Sequence, residues 1–291
     1  MTSSNQPQGE ATLHNEANFR HHTTSLTFSR KEIALVLVDL WDTGFGPEPL
    51  THLGWEAEYN LGKSFCDRAA EIELTRILPL LESCRKNGVA VVHCPSADIA
   101  VKHPQWETHA TDEDRNPPSS QGESAPPSWP PTEWTSRWRD AHTNLIHTQK
   151  WITDYYAHIR PNQNIPEPLR PVDGDLVVTT GNMMHRLLRE REIKVLFYCG
   201  FATNLCLIFK PGAIQDMYDR GYMPLVVRDA TTGSENAETI QEMRITNAFI
   251  DQIEILWSYS VTSSDLIEAF ESGETFELLC RYLRMNKPME Q

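Results

Sequence analysis

The sequence has no run of about 18 consecutive apolar residues, so none of its 291 residues read as a membrane span. The opening stretch MTSSNQPQGEATLHNEANFRHH has no apolar centre of the kind a secretory leader needs. Basic residues are scarce: 26 Lys and Arg stand against 40 Asp and Glu, for a net charge of −14. That balance argues against nucleic acid or an anionic membrane surface as the main partner. Cysteine is sparse and scattered, at Cys66, Cys84, Cys94, Cys199, Cys206 and Cys280. There is no C-x-x-C pair and no Cys/His cluster of zinc spacing, which suits a reducing compartment and makes the cytoplasm the expected location. The 14 glycines form no phosphate-binding fingerprint, so no nucleotide or other cofactor is expected.

Against these absences, the segment Val195–Cys206, VLFYCGFATNLC, stands out. It reads as a buried strand over Val195–Cys199, a turn at Gly200 and a helix start that carries Cys206. A thiol at a helix N-terminus sits beside unpaired N–H groups and the positive end of the helix dipole. Both favour the thiolate, and the same N–H groups can receive an oxyanion. A buried structural cysteine would fit the position too. The apolar run Ile33–Val38 then ends at Asp39, in IALVLVDLWD. A parallel strand buried on both faces has this composition, and open α/β sheets place their sites at the carboxyl ends of such strands. A carboxylate there can take a proton from the thiol and return it to a leaving group.

These segments resemble the isochorismatase-like cysteine hydrolases, which include nicotinamidases and other small amidases. In that family the first strand ends in a pattern like V-V-D-x-Q-N-D-F, and the nucleophile lies in G-x-x-T-x-x-C. Here the sequence has Val38-Asp39-Leu40-Trp41-Asp42 and Gly200-Phe201-Ala202-Thr203-Asn204-Leu205-Cys206, with Arg228-Asp229-Ala230-Thr231 after a later strand. The resemblance implies a Rossmann-like three-layer α/β/α sandwich and an Asp–Lys–Cys triad. It also implies an oxyanion hole of backbone amides at Ala202 and Cys206, beside a cis peptide at Phe201–Ala202. The aspartate carries over to Asp39 and the nucleophile to Cys206. The lysine position, in the context D-x-V-x-x-K, falls on Thr180, a neutral hydroxyl. The expectation is therefore a divergent branch without the usual lysine. Lys210, four residues after Cys206, and Lys150 are the candidate replacement cations.

Six strands are expected, at Ile33–Asp39, Val89–Cys94, Asp175–Thr180, Val195–Cys199, Met223–Arg228 and Glu254–Tyr259. Helices are expected at Ala69–Asn87, Met183–Glu192, Asn236–Ile250, Ser264–Phe270 and Glu274–Met285, with Thr232 and Glu235 as a capping box for the third. This alternation reads as a doubly wound, mostly parallel sheet. Residues 1 to about 25 read as a mobile arm, in which His21-His22 is a weak metal-capable pair, followed by one domain over residues 26–291. From about 96 to 170 the alternation stops. This insertion holds most of the prolines and five of the eight tryptophans (Trp106, Trp129, Trp134, Trp138 and Trp151). Docking onto the core or a partner subunit would explain them, and a lid over the site is the functional reading. Within it, Asp112–Pro131 reads as a flexible loop.

Trp41, His93 and Phe201 are the candidate substrate-binding residues. Nicotinamidases carry a metal after the second strand. Asp98 and His103 have suitable chemistry but the wrong spacing, so no metal is expected. The reading that follows is a hydrolase of a small-molecule amide or other C–N bond, in a homo-oligomer. Isochorismatase-type ether cleavage with Asp39 as general acid, or a binding protein that has lost catalysis, are the alternatives.

Overall fold

Alternate residues of the run Ile33–Val38 enter two different cores. Ile33, Leu35 and Leu37 join one cluster of buried side chains, and Ala34, Val36 and Val38 join the other. A strand with a core on each face can carry no polar residue, which explains the unbroken apolar run. The structure, a computed structural model, describes residues 19–45, 63–116, 129–146, 153 and 155–285.

One sheet of eight strands organises the chain: β1 (Phe19–Ser29), β2 (Ile33–Val38), β3 (Ala90–Cys94), β4 (Leu176–Val177), β5 (Val195–Phe201), β6 (Met223–Thr232), β7 (Tyr259–Val261) and β8 (Thr275–Met285). Their order is β1-β8-β7-β6-β5-β2-β3-β4. β2 to β7 pair in parallel, whereas β8 runs antiparallel to β7 and to β1. The principal helices are α1 (Lys63–Ile72), α2 (Leu78–Lys86), α3 (Gly181–Glu190), α4 (Cys206–Phe209), α5 (Ile214–Asp219), α6 (Arg244–Leu256) and α7 (Ser263–Ser272). Apolar residues of α1, α2 and α7 fill the core on one face; those of α3, α4, α5 and α6 fill the other. A π-helical turn, Glu73–Ile77, joins α1 to α2, so the expected helix is present but starts earlier, at Lys63.

The sheet has two strands more than expected. β8 occupies residues assigned to a final helix, and β1 takes in residues 19–25 of the presumed arm; residues 1–18 lie outside the described residues. In β8, Phe276, Leu278 and Cys280 point into the core, while Leu279 is exposed. The expected strand Glu254–Tyr259 is instead the end of α6 and the start of β7. The Asn236–Ile250 helix begins only at Arg244. Its N-cap residue is Met243; the expected Thr232–Glu235 capping box does not form there, and Glu235 instead accepts the amide N–H groups of Ile245 and Thr246 from a distance along the chain.

The insertion also departs from expectation. Trp106 is buried, but Trp129, Trp134 and Trp138 are 71%, 50% and 45% exposed, so docking onto the core does not explain them. Trp151 lies outside the described residues. Asp112–Arg115 is a short helix with a Thr111–Asp114 capping box, not loop, and Thr132–Ile146 is a further helix. Among the described residues, no helix is long and apolar enough to cross a membrane.

From β2 the chain steps outward through β3 to β4, then returns to β5 on the other side and steps outward through β6 to β7. The order reverses between β2 and β5. The gap beyond the carboxyl ends of these two strands is where such a sheet leaves a crevice.

Candidate active site

Asp39 immediately follows β2, and the Cys206 segment follows β5, so both stand at that crevice. Asp39 adopts a left-handed backbone (φ 44°), and its N–H donates to the Cys94 carbonyl at 3.3 Å. Gly200, near the end of β5, also has positive φ (110°), and a Cβ there would lie 2.0 Å from the Val38 carbonyl oxygen. Only glycine lets β5 press this closely on the residue before Asp39.

The Phe201–Ala202 peptide is cis. The chain then turns so that the N–H groups of Leu205 and Leu207 both donate to the Ala202 carbonyl, at 3.0 and 3.2 Å. α4 begins at Cys206. The amide N–H groups of Ala202 and Cys206 find no acceptor among the described residues. The half-buried Cys206 thiol stands close enough to Asp39 to feel its charge. Burial pushes this thiol up to about 12, the Asp39 charge adds to the rise, and Lys210 opposes it. The sulfur therefore rests protonated, with a carboxylate nearby.

α4 lasts one turn and stops before Pro211, leaving Lys210 with an extended backbone. The Lys210 ammonium donates to Asp39 Oδ1 at 2.8 Å and to the Cys94 carbonyl at 2.9 Å. Its side chain is 14% exposed. Burial works against this charge, yet the neighbouring Cys94 and Asp39 hold Lys210 above the ordinary lysine value. Of the two candidate replacement cations, Lys210 thus reaches Asp39. Lys150 lies outside the described residues. The Thr180 hydroxyl caps α3, accepting the Met183 N–H at 3.1 Å. Thr180 and Lys210 line the same hollow of about 540 Å³.

Cys206 opens instead into a smaller cavity of about 230 Å³, walled by Trp41, Phe65, Tyr155 and Leu205, with Arg160 and Gln163 as polar residues and Ala202 beside the thiol. Trp41 is tilted against Phe65, ring centroids 6.5 Å apart. Behind it, the Trp41 N–H donates to Glu73 Oε1 at 3.1 Å. Glu73 sits fully buried in the π turn, and its Oε2 has no partner. Burial raises this carboxyl well above the usual carboxylate range.

Residues 63–254, about two thirds of the chain, match the family described as the isochorismatase domain. The chain belongs to the isochorismatase family. Cys206 and Lys210 fall inside the matched region of this isochorismatase-family hydrolase, and Asp39 precedes it. Comparison with curated proteins finds no match. Among solved structures, a cysteine hydrolase from Pseudomonas syringae pv. phaseolicola is 17% identical, with 84% of this chain and 95% of that one covered and a TM-score of 0.46. An isochorismatase family protein from Desulfovibrio vulgaris is 16% identical, with 82% and 98% covered and a TM-score of 0.43. A nicotinamidase from Staphylococcus aureus is 13% identical, with 75% and 96% covered and a TM-score of 0.35.

Of the substrate-binding candidates in this isochorismatase-family hydrolase, only Trp41 lines the Cys206 cavity. Phe201 is fully buried behind it, edge-on to Phe65 at 6.1 Å. His93 is buried too, and its Nε2 lies 3.3 Å from Asp175 Oδ2, the oxygen that also takes Arg85 at 2.5 Å. Burial lowers the His93 pKa, and the ring does not line the cavity. Asp98 and His103 go separate ways: Asp98 pairs with Arg160 at 2.7 Å, and His103 with the Asn164 side chain at 2.9 Å. The sequence reading missed Thr43, Phe65, Cys66, Tyr155, Arg160, Gln163 and Leu205. Leu205 fills an unspecified place in the Cys206 motif, the other six belong to no motif, and Tyr155 to Gln163 come from the insertion.

Proposed function

We propose that this isochorismatase-family hydrolase cleaves a small amide, or another C–N bond, through a thioester on Cys206. The sulfur attacks the carbonyl carbon while its proton passes to the Asp39 carboxylate. The N–H groups of Ala202 and Cys206 receive the oxyanion. The tetrahedral adduct collapses, the C–N bond breaks, and the proton on Asp39 goes to the leaving nitrogen. Water then attacks the thioester and gives a proton to Asp39. The acid product leaves and the proton returns to the sulfur. Lys210 orients Asp39 throughout.

The observation that carries this reading is the convergence at one sheet edge of the Lys210 ammonium, 2.8 Å from Asp39, and the Cys206 thiol, which feels the charge of the same carboxylate. It supplies the nucleophile, the proton carrier and the orienting cation together, and so favours catalysis over a binding role. The 230 Å³ cavity suits a compact substrate. Its aromatic walls favour a planar or apolar group, and Arg160 and Gln163 offer polar contacts. On this reading the segment carrying Tyr155, Arg160 and Gln163 is the inner edge of a lid.

The test is turnover of a panel of small amides, with acid quenching and intact-mass detection of an acyl group on Cys206. Wild type should accumulate the adduct. Cys206→Ala should form none, and Asp39→Asn should lose turnover while staying folded. Near-normal turnover by Cys206→Ser would refute the covalent route and leave Asp39 as a general acid on an ether.

A further inference from the structure

His21, Asp251 and Glu254 converge away from the Cys206 cavity, where β1 meets the end of α6. Asp251 and Glu254 are three residues apart on α6 and so share a face. His21 Nε2 lies 2.9 Å from Asp251 Oδ1 and 3.5 Å from Glu254 Oε2. One ligating atom from each residue lies within 4.8 Å of the other two. The neighbouring His22 is on the opposite face of β1, its ring 5.8 Å from that of Tyr282, so it takes no part.

The decisive group is Glu254, whose side chain has no solvent exposure. Its Oε1 accepts Ser260 Oγ–H and the Arg281 Nε–H, the latter at 2.8 Å. Its Oε2 is buried, accepts no hydrogen bond and faces His21. A carboxylate oxygen in that position lacks the partner that buried acceptors normally have. His21 and Asp251 are 46% and 40% exposed, so an ion can enter from solvent and keep a water. Four-coordinate zinc, with bonds of about 2.0–2.2 Å, needs ligand atoms roughly 3.3–3.5 Å apart. The His21–Glu254 separation of 3.5 Å already matches that spacing, and the His21–Asp251 separation of 2.9 Å needs to widen by about half an ångström.

We propose that His21, Asp251 and Glu254 form a site for a divalent transition metal ion, one imidazole and two carboxylates being a donor set suited to zinc. The ion would tie the edge strand β1 to α6.

Untagged, metal-stripped full-length protein should take up one equivalent of Zn²⁺ in equilibrium dialysis. His21→Ala and Asp251→Asn should each bind it at least tenfold more weakly. Zn²⁺ should raise the Tm of wild type and leave that of both variants unchanged. Co²⁺ in its place should give d–d absorption without a thiolate charge-transfer band, which separates this site from the six cysteines. Equal uptake by wild type and His21→Ala, or no uptake by wild type, would overturn the proposal and leave an ion-pair cluster only. Glu254→Gln should also lose the site. If that buried change prevents folding, the two exposed variants decide.

Discussion

Replacing Lys210 with Met keeps the length of the side chain and removes its charge. In wild type the ammonium is 2.8 Å from Asp39 Oδ1, and the two side chains are 14% and 5% exposed. At an effective dielectric constant of about 20, two charges at that distance attract by about 6 kcal/mol. Part of this is spent on desolvation, and removing one partner of a buried pair costs about 3–5 kcal/mol. For a chain of this length, roughly 2 °C is lost per kcal/mol, so the Tm should fall by about 6–10 °C. The Cys94 carbonyl also loses its donor. Catalysis should suffer more than stability, because without the ammonium Asp39 loses the contact that orients it beside the thiol. Below the melting range, kcat/KM at pH 7 should drop about 100-fold or more. The assay is kcat/KM with thermal melts in parallel. Thr180 lines the same hollow as Lys210, so adding Thr180→Lys to Lys210→Met should recover about tenfold of the lost rate, despite about 1 kcal/mol for the lost cap. A Lys210→Met enzyme with unchanged rate would refute the reasoning.

Other consequences can be checked independently. Because burial and the Asp39 charge hold the Cys206 thiol at about 12, iodoacetamide should modify wild type slowly at pH 7, about tenfold faster per pH unit above it. Asp39→Asn removes one of those causes, so it should speed alkylation of Cys206 while abolishing turnover; slower alkylation would contradict the assignment. Glu73 has a folded pKa raised well above its ordinary value of about 4.5, so its contribution is complete below that pH and declines as the pH rises. The stability of wild type relative to Glu73→Gln should therefore fall from pH 4 toward neutrality in denaturant titrations, whereas a constant difference would mean a normal carboxylate. Glu73→Ala, which strands the Trp41 N–H and opens a cavity, should cost about 2–4 kcal/mol by the same titration. Gly200→Ala should lose both fold stability and Cys206 labelling by an amide substrate, since its methyl would sit 2.0 Å from the Val38 carbonyl oxygen.

The central strands were legible because a strand buried on both faces admits no polar residue, and Ile33–Val38 shows that directly. Asp39 and Cys206 were legible because each sits at a change of period, where an apolar run gives way to a turn. β1 and β8 were hidden for the opposite reason. They pair with each other across more than 200 residues of sequence, Phe28 opposite Phe276, and no local signal reports such a partner. In β8, Leu278 and Leu279 stand side by side, which blurs the strand alternation into something a helix could also carry. The role of Lys210 depends on α4 ending after one turn, so that an extended backbone aims the ammonium across to β2; spacing from Cys206 shows only that the residue is nearby. Arg160, Tyr155 and Gln163 reach the cavity by tertiary placement of the insertion alone.

If Lys210 has the proposed role, the positive charge at this site belongs to a point in space and not to a column of an alignment. One segment that could reach the point ends in a threonine, and another has taken over the task from a turn beyond the thiol. A census of living and dead enzymes taken position by position would then count this chain among the dead for want of a lysine at Thr180. The sounder question for any relative with that gap is whether some other long cationic side chain can reach the aspartate from the crevice. Loss of a motif residue here measures drift in the scaffold before it measures loss of activity.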